Sequence, residues 1–309
     1  MKKGMYFTIM TIAFLAIFLF IFMIPSYQPF SKKMNVVEMR VNSMDDFLKD
    51  ITRDTERALY ISSYRGLLAL EQEIVSKGEY LDDTETRFKE AILNGTIHNV
   101  SSDIMQLSTF QDWIDKIEQE STKFNINTTI LVNDIEVYQK DPWNIMVRAN
   151  ITMMLNDTTN IASWLTDREV ETSISIISFE DPIYTIASLG RVINKINITP
   201  YEGDYVDGQN VTNFLDHIEK SYYAANPNSP SFLMRLENNM SSSLYGIESL
   251  IYIPNLVEQE LVINSQSSIV DYHYWNGVSN GDYGINNTPS WVKIDQNHLS
   301  KYDLEDVSY

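Results

Sequence analysis

Asp271-Tyr272-His273-Tyr274 is the stretch where residue types that do chemistry fall closest together. On a strand, positions 271 and 273 share one side, so a carboxylate there can orient an imidazole as a general base. A hydrolase also needs a nucleophile within hydrogen-bond reach of that base, and no partner of that kind is legible. The four histidines, His98, His217, His273 and His298, are far apart, and none stands at metal-ligand spacing from another. No nucleophile elbow, serine–lysine pair, aspartic-protease triplet or glycine loop for phosphates is identified. The reading is therefore non-enzymatic, with no catalytic, cofactor-binding or metal residue assigned and no cofactor expected.

Glu202-Gly203-Asp204-Tyr205-Val206-Asp207-Gly208-Gln209-Asn210 gathers hard oxygen ligands around two glycines. Calcium takes six to eight oxygens, and the run lacks the alternating acids and terminal Glu of a calcium loop, so an acidic turn without metal is the reading. The 18 tyrosines could serve carbohydrate or protein recognition on an exposed face, or pack half-buried on a sheet.

The elements that must position these groups begin with an apolar run. From Met5 to Met23 the chain carries no charge, and roughly 20 residues at 1.5 Å each cross a hydrocarbon core. The run ends Phe22-Met23-Ile24-Pro25, without the small residues of a signal-peptidase site, so retention as a transmembrane helix over residues 5–25 is expected. Lys2 and Lys3 balance Lys32 and Lys33, leaving orientation to other features. Asn-x-Ser/Thr acceptors stand at Asn94, Asn99, Asn127, Asn150, Asn156, Asn197, Asn210, Asn239 and Asn286, all after the run. They place the amino terminus in the cytoplasm and the remainder outside the cell membrane as a single-pass, N-glycosylated domain.

All 42 acidic residues follow Lys33, against 19 of the 23 basic ones, so residues 34–309 carry a formal charge of −23. That surface excludes nucleic acid as a partner and fits a solvated, soluble exterior. With no cysteine, disulfides, thiolate chemistry and iron–sulfur clusters are excluded together.

After Pro25 and a short polar connection, Val37, Val41, Met44, Leu48 and Ile51 form a stripe at alternating spacings of four and three. It either pairs stalks into a homo-oligomer or packs against its own head. A second helical pattern stops at Gly78; Gly66 within it costs about 1 kcal/mol unless something packs closely there. Asp82 and Glu85 predict a capped helix ending at Gly95, and a further helix begins near Ser108. The period then changes to two: Ile145, Val147, Ala149, Ile151, Met153 and Leu155 describe a half-buried strand, flanked by strands over 129–138 and 169–179. Past Pro182, residues 211–223 read as helix, 250–262 and 268–275 as extended, and the C-terminal tail as loops.

The fold expected is α+β: an N-terminal transmembrane helix continuing into a helical stalk, with an antiparallel β-meander packed on helices. Its parts are a basic leader or cytoplasmic end (1–4), the span (5–25), a helical stalk and helical region (34–124), the sheet (125–182) and a mixed α/β region with a loop-rich tail (183–309).

MKKG followed by Phe7-Thr8-Ile9 and a long apolar helix resembles the amino terminus of type IV pilins and their archaeal relatives. The resemblance implies leader cleavage after Gly4 and assembly with pilin-like partners; Ile9, or Thr11 counted from Phe7, stands where that family carries a Glu. Later stretches, Asp181-Pro182-Ile183-Tyr184, Pro230-Ser231-Phe232-Leu233 and Gly246-Ile247-Glu248-Ser249-Leu250 among them, look similar to archaeal single-span cell-surface proteins. The expectation is a membrane-anchored extracytoplasmic surface protein, a pilin-like filament or envelope subunit. The alternative is a membrane-tethered binding module or envelope hydrolase acting on glycans or peptides.

Overall fold

The computed structural model describes residues 3–277 and 279–309, with side chains for all of these except residues 3–5 and 23–33. The fold is α+β, made of helices and small antiparallel sheets. Helix α1 runs continuously from Lys3 to Lys77, so the expected connection after Pro25 is helical instead. Pro25 and Pro29 each remove one backbone hydrogen bond from it, and the chain is helical across both. Among the described residues, no helix is long and apolar enough to cross a membrane. The ends of the expected span over residues 5–25, Met5 and Met23–Pro25, lie outside the residues whose side chains are described.

The remaining elements follow in order: α2 (Thr84–Asn94), β1 (Thr96–Ile97), β2 (Val100–Ser101), α3 (Phe110–Thr122), β3 (Ile126–Asp141), β4 (Asn144–Asp157), β5 (Ser163–Ser175) and α4 (Pro182–Ala187). Then come α5 (Thr212–Glu219), β6 (Tyr223–Ala225), α6 (Phe232–Arg235), β7 (Ile247–Ser249), α7 (Ile253–Glu258), α8 (Asp271–Asn276), β8 (Tyr283–Gly284), β9 (Lys293–Ile294) and α9 (Gln296–Leu299). Strands β3, β4 and β5 form a sheet in that order. The two-residue turn between β3 and β4 allows only an antiparallel pair. All six alternate residues from Ile145 to Leu155 are fully buried, because a period of two sends them to one face.

The chain divides into two compact units, residues 1–55, 116–131 and 152–167, and residues 56–115, 132–151 and 168–309. In the first, Met44, Leu48 and Ile51 of the α1 stripe are covered by the chain itself, Val41 is half-buried and Val37 is exposed. The Phe47 and Phe124 rings stand 6.0 Å apart there. Arg40 joins this unit's segments: its Nε donates to Asp157 Oδ1 at 2.6 Å and its Nη2 to the Asn125 carbonyl at 2.7 Å.

In the second unit, Gly66 lets α2 approach α1. A Cβ at Gly66 would stand 3.1 Å from Phe88 Cε2 and 3.4 Å from Ile92 Cγ1, so the close packing that would offset the helical cost of glycine is present. Helix α2 is capped one residue later than expected, by Asp83, whose carboxylate accepts from Thr86 N. Asp82 instead takes Arg87, with Nε donating to Oδ1 at 2.9 Å. The helix ends as expected on Gly95, at φ +68°.

Three readings of the C-terminal half are corrected. Residues 250–262 carry helix α7 and residues 268–275 carry most of helix α8 instead of extended chain. Both helices are six residues, too short for a helical period to stand out from alternation. The tail expected as loops contains β8, β9 and α9, and its Tyr302, Leu304 and Val307 are fully buried in the core with Phe214, Leu250 and Val270. Isolated apolar residues in a polar stretch carry no period, yet each fills a place in that core.

Candidate functional site

Strand β7 supplies the centre of a buried polar network. It pairs antiparallel with β6, Tyr223 opposite Ser249 and Ala224 opposite Glu248, and all three β7 residues are buried. A strand covered on both faces hides whatever side chain it carries, so Glu248 is drawn inside. Gly246 makes the entry to β7: a Cβ there would fall 2.1 Å from the Ser229 carbonyl oxygen.

On one side lies a buried arginine with two aspartates. Arg235, in α6, directs Nη1 to Asp181 Oδ2 at 2.5 Å and to Asp271 Oδ2 at 2.9 Å, and its Nη2 donates to the Ile247 carbonyl. All three ionic side chains are fully shielded from solvent. Asp181 caps α4 and also accepts from the Tyr223 hydroxyl at 2.8 Å. Asp271 accepts from Ser249 N at 3.1 Å and Ser249 Oγ at 2.9 Å. Burial pushes the Asp271 carboxyl up from the ordinary carboxylate range, against the pull of Arg235. A buried cluster of this kind fixes α4, α6, β7 and α8 to one another.

On the other side, Glu248 Oε1 accepts from Tyr302 Oη at 2.9 Å and Oε2 from Asn226 Nδ2 at 2.7 Å. His298 Nε2 stands 3.1 Å from Glu248 Oε2, and His298 Nδ1 stands 2.8 Å from Asp295 Oδ1. Asp295 caps α9, and its Oδ2 accepts from Ser268 Oγ at 2.7 Å. His273 completes the group, with Nδ1 at 3.4 Å from Asp295 Oδ2 and the two imidazole centroids 5.2 Å apart. Burial opposes charge on His298, but hydrogen bonds to Asp295 and Glu248 outweigh it and raise the imidazole to about 10. Burial likewise opposes charge on Asp295, and the imidazoles of His273 and His298 beside it hold its carboxyl well below the ordinary range.

The structure thus separates Asp271 from His273. Neighbours on a helix do not share a face as alternate strand residues do, so Asp271 turns to Arg235 and His273 to Asp295. Two histidines distant in sequence meet through the fold; the one local signal was Asp295-x-x-His298, a helix cap with its i+3 neighbour. The other two histidines lie elsewhere. His98 Nε2 stands 3.1 Å from Asp82, and His217 is a buried, neutral ring whose Nδ1 meets Thr199 Oγ1 at 3.0 Å. Burial lowers His217 to about 3.

Two spellings of catalytic motifs escaped sequence reasoning, and neither has the required setting. Gly277-Val278-Ser279-Asn280-Gly281 reads Gly-x-Ser-x-Gly, but Gly277 caps the end of α8, whereas a nucleophile elbow runs from strand to helix. Residue 278 lies outside the described residues. Ser290-Trp291-Val292-Lys293 reads Ser-x-x-Lys, but it occupies a turn leading into β9, where positions three apart do not share a helix face. The run Glu202–Asn210 is a turn in which Asp207 and Asn210 exchange backbone hydrogen bonds, with Tyr205 buried beneath it. Among the described residues its acids form no group near enough to hold a metal ion. Tyr184, Tyr205, Tyr223 and Tyr302 are core residues. Of the nine glycan acceptors, Asn150 is half-buried and the other eight are exposed.

Fold and network together define an α+β protein with a buried, charge-rich centre in its second unit. Comparison with family models, curated proteins and solved structures finds no match for this chain.

Proposed function

We propose that the chain is a membrane-anchored extracytoplasmic surface protein, held by residues 5–25 with its amino terminus in the cytoplasm and an N-glycosylated head outside. The observation that carries the reading is the surface of α1 between Tyr6 and Phe22. Thirteen large apolar side chains there are each 55–78% exposed, on every side of the helix. A helix apolar all round is stable only inside a protein or a bilayer. At about 1.5–3 kcal/mol per side chain, leaving them in water costs on the order of 20 kcal/mol or more, beyond the net stability of an ordinary domain. The eight exposed acceptors support the outward placement of the head.

The finer assignment is a pilin-like filament or envelope subunit. It rests on MKKG and the Phe7-Thr8-Ile9 helix start, and homo-oligomeric or pilin-like partners would meet along α1. Because Met44, Leu48 and Ile51 are already covered by the chain, the stripe can offer a partner chiefly Val37 and Val41.

Alkaline carbonate extraction of native membranes tests the anchor, and mass spectrometry of the amino-terminal residue tests the processing. The anchor requires the protein in the membrane pellet; recovery in the supernatant overturns it. A chain beginning at Met5 supports pilin-type cleavage, and one beginning at Met1 or Lys2 leaves a signal-anchored subunit.

A further inference from the structure

We propose that His273, Asp295 and His298 form a binding site for one divalent transition-metal ion of the zinc class. The proposal concerns the second unit and stands whether or not the chain is anchored.

One imidazole nitrogen from each histidine and one carboxylate oxygen of Asp295 all lie within 4.8 Å of one another. Zinc bonds of about 2.0 Å in tetrahedral array place ligand atoms about 3.3 Å apart. His273 Nδ1 stands 3.4 Å from Asp295 Oδ2 and His298 Nδ1 stands 2.8 Å from Asp295 Oδ1, so the two imidazoles address the two oxygens of one carboxylate. Two imidazoles and a carboxylate suit zinc and its neighbours better than calcium or magnesium, which take oxygen alone.

Two further observations point the same way. His273 Nδ1 is buried without an aligned hydrogen-bond partner, the state of a ligand atom whose partner is something other than protein. The outer partners are also in place: His298 directs Nε2 to Glu248, and Asp295 takes Ser268 Oγ at 2.7 Å. A carboxylate behind a ligating imidazole fixes its orientation and strengthens its donation to the metal.

Charge balance supplies the driving force. The network buries four carboxylates, Asp181, Glu248, Asp271 and Asp295, against the guanidinium of Arg235 and the imidazole of His298. A dication placed among these groups adds positive charge where buried carboxylates gather. His273 has 15% of its side chain exposed, which gives an ion a way in and leaves a fourth position to water.

The test uses the full-length protein in detergent, stripped with chelator, reloaded with zinc chloride and desalted. Elemental analysis should find about one zinc per chain, and the loaded protein should melt at higher temperature than the stripped one. Cobalt in place of zinc should give the intense visible absorption of a tetrahedral ion, a readout that needs no variant. His273→Ala should retain less than a tenth of the zinc, and His98→Ala should retain all of it. Failure of the wild-type chain to hold zinc, or undiminished zinc in a folded His273→Ala, overturns the proposal.

Discussion

Glu248 Oε2 stands 3.1 Å from His298 Nε2, on the edge of the ring opposite Asp295, so the imidazole is clamped between two buried carboxylates. In metal-free protein this holds a proton on each nitrogen. Truncation in His298→Ala leaves both carboxylates buried without their cation, at a cost of about 3–5 kcal/mol. Urea denaturation in the presence of chelator measures it, and a loss below about 1 kcal/mol would contradict the clamp.

Arg235 makes a similar case with a sharper chemical distinction. Its guanidinium reaches Asp181, Asp271 and the Ile247 carbonyl from one planar fork. Arg235→Met should destabilise by about 3–5 kcal/mol by stranding two aspartates. Arg235→Lys keeps the charge but not the fork, and should recover less than half of that loss by the same denaturation measurement.

Gly66 and Phe88 form a pair whose energies oppose. Gly66→Ala gains about 1 kcal/mol of helix propensity. Its new methyl would meet Phe88 Cε2 at 3.1 Å, and overpacking costs about 1–3 kcal/mol. A net loss near 1 kcal/mol is expected. Adding Phe88→Leu should make the Gly66→Ala step favourable, a sign reversal that a double-mutant cycle detects.

Glu71 gives the fold a pH dependence. Burial raises its carboxyl from 4.5 to about 7; the Glu180 amide, which donates to Glu71 Oε1, and the Lys195 charge only partly oppose that rise. The unfolded chain therefore releases this proton at lower pH than the folded one. Stability should fall as pH rises from about 4.5 to about 7 and level off above. Glu71→Gln should flatten this part of the profile in thermal melts taken across that range; an unchanged slope would show that Glu71 is not its source.

The legible parts of the fold were those with a long period or a single decisive residue. Ile145 to Leu155 announced β4 by strict alternation, and Gly78 and Gly95 announced helix ends by the left-handed conformation each adopts. The illegible parts were short or non-periodic. Asp271–Asn276 makes fewer than two helical turns, so the alternation of Asp271 and His273 suggested a strand. Tyr302, Leu304 and Val307 reach the core singly. The meeting of His273 with His298 depends on the Leu250–Val270 bridge and on β9 pairing with β8, relationships that local spacing does not encode.

The anchored, outward-facing arrangement is the central claim, and the cysteine-free sequence allows it to be read directly. Ser242, exposed in the segment between α6 and β7, can be replaced by cysteine, and Lys2 likewise in a second variant. Intact cells would then be treated with a membrane-impermeant maleimide before and after lysis. The account predicts that Ser242→Cys is labelled on intact cells and that Lys2→Cys, in chains that keep the leader, is labelled only after lysis. Protection of Ser242→Cys until lysis, or labelling of Lys2→Cys on intact cells, would contradict it.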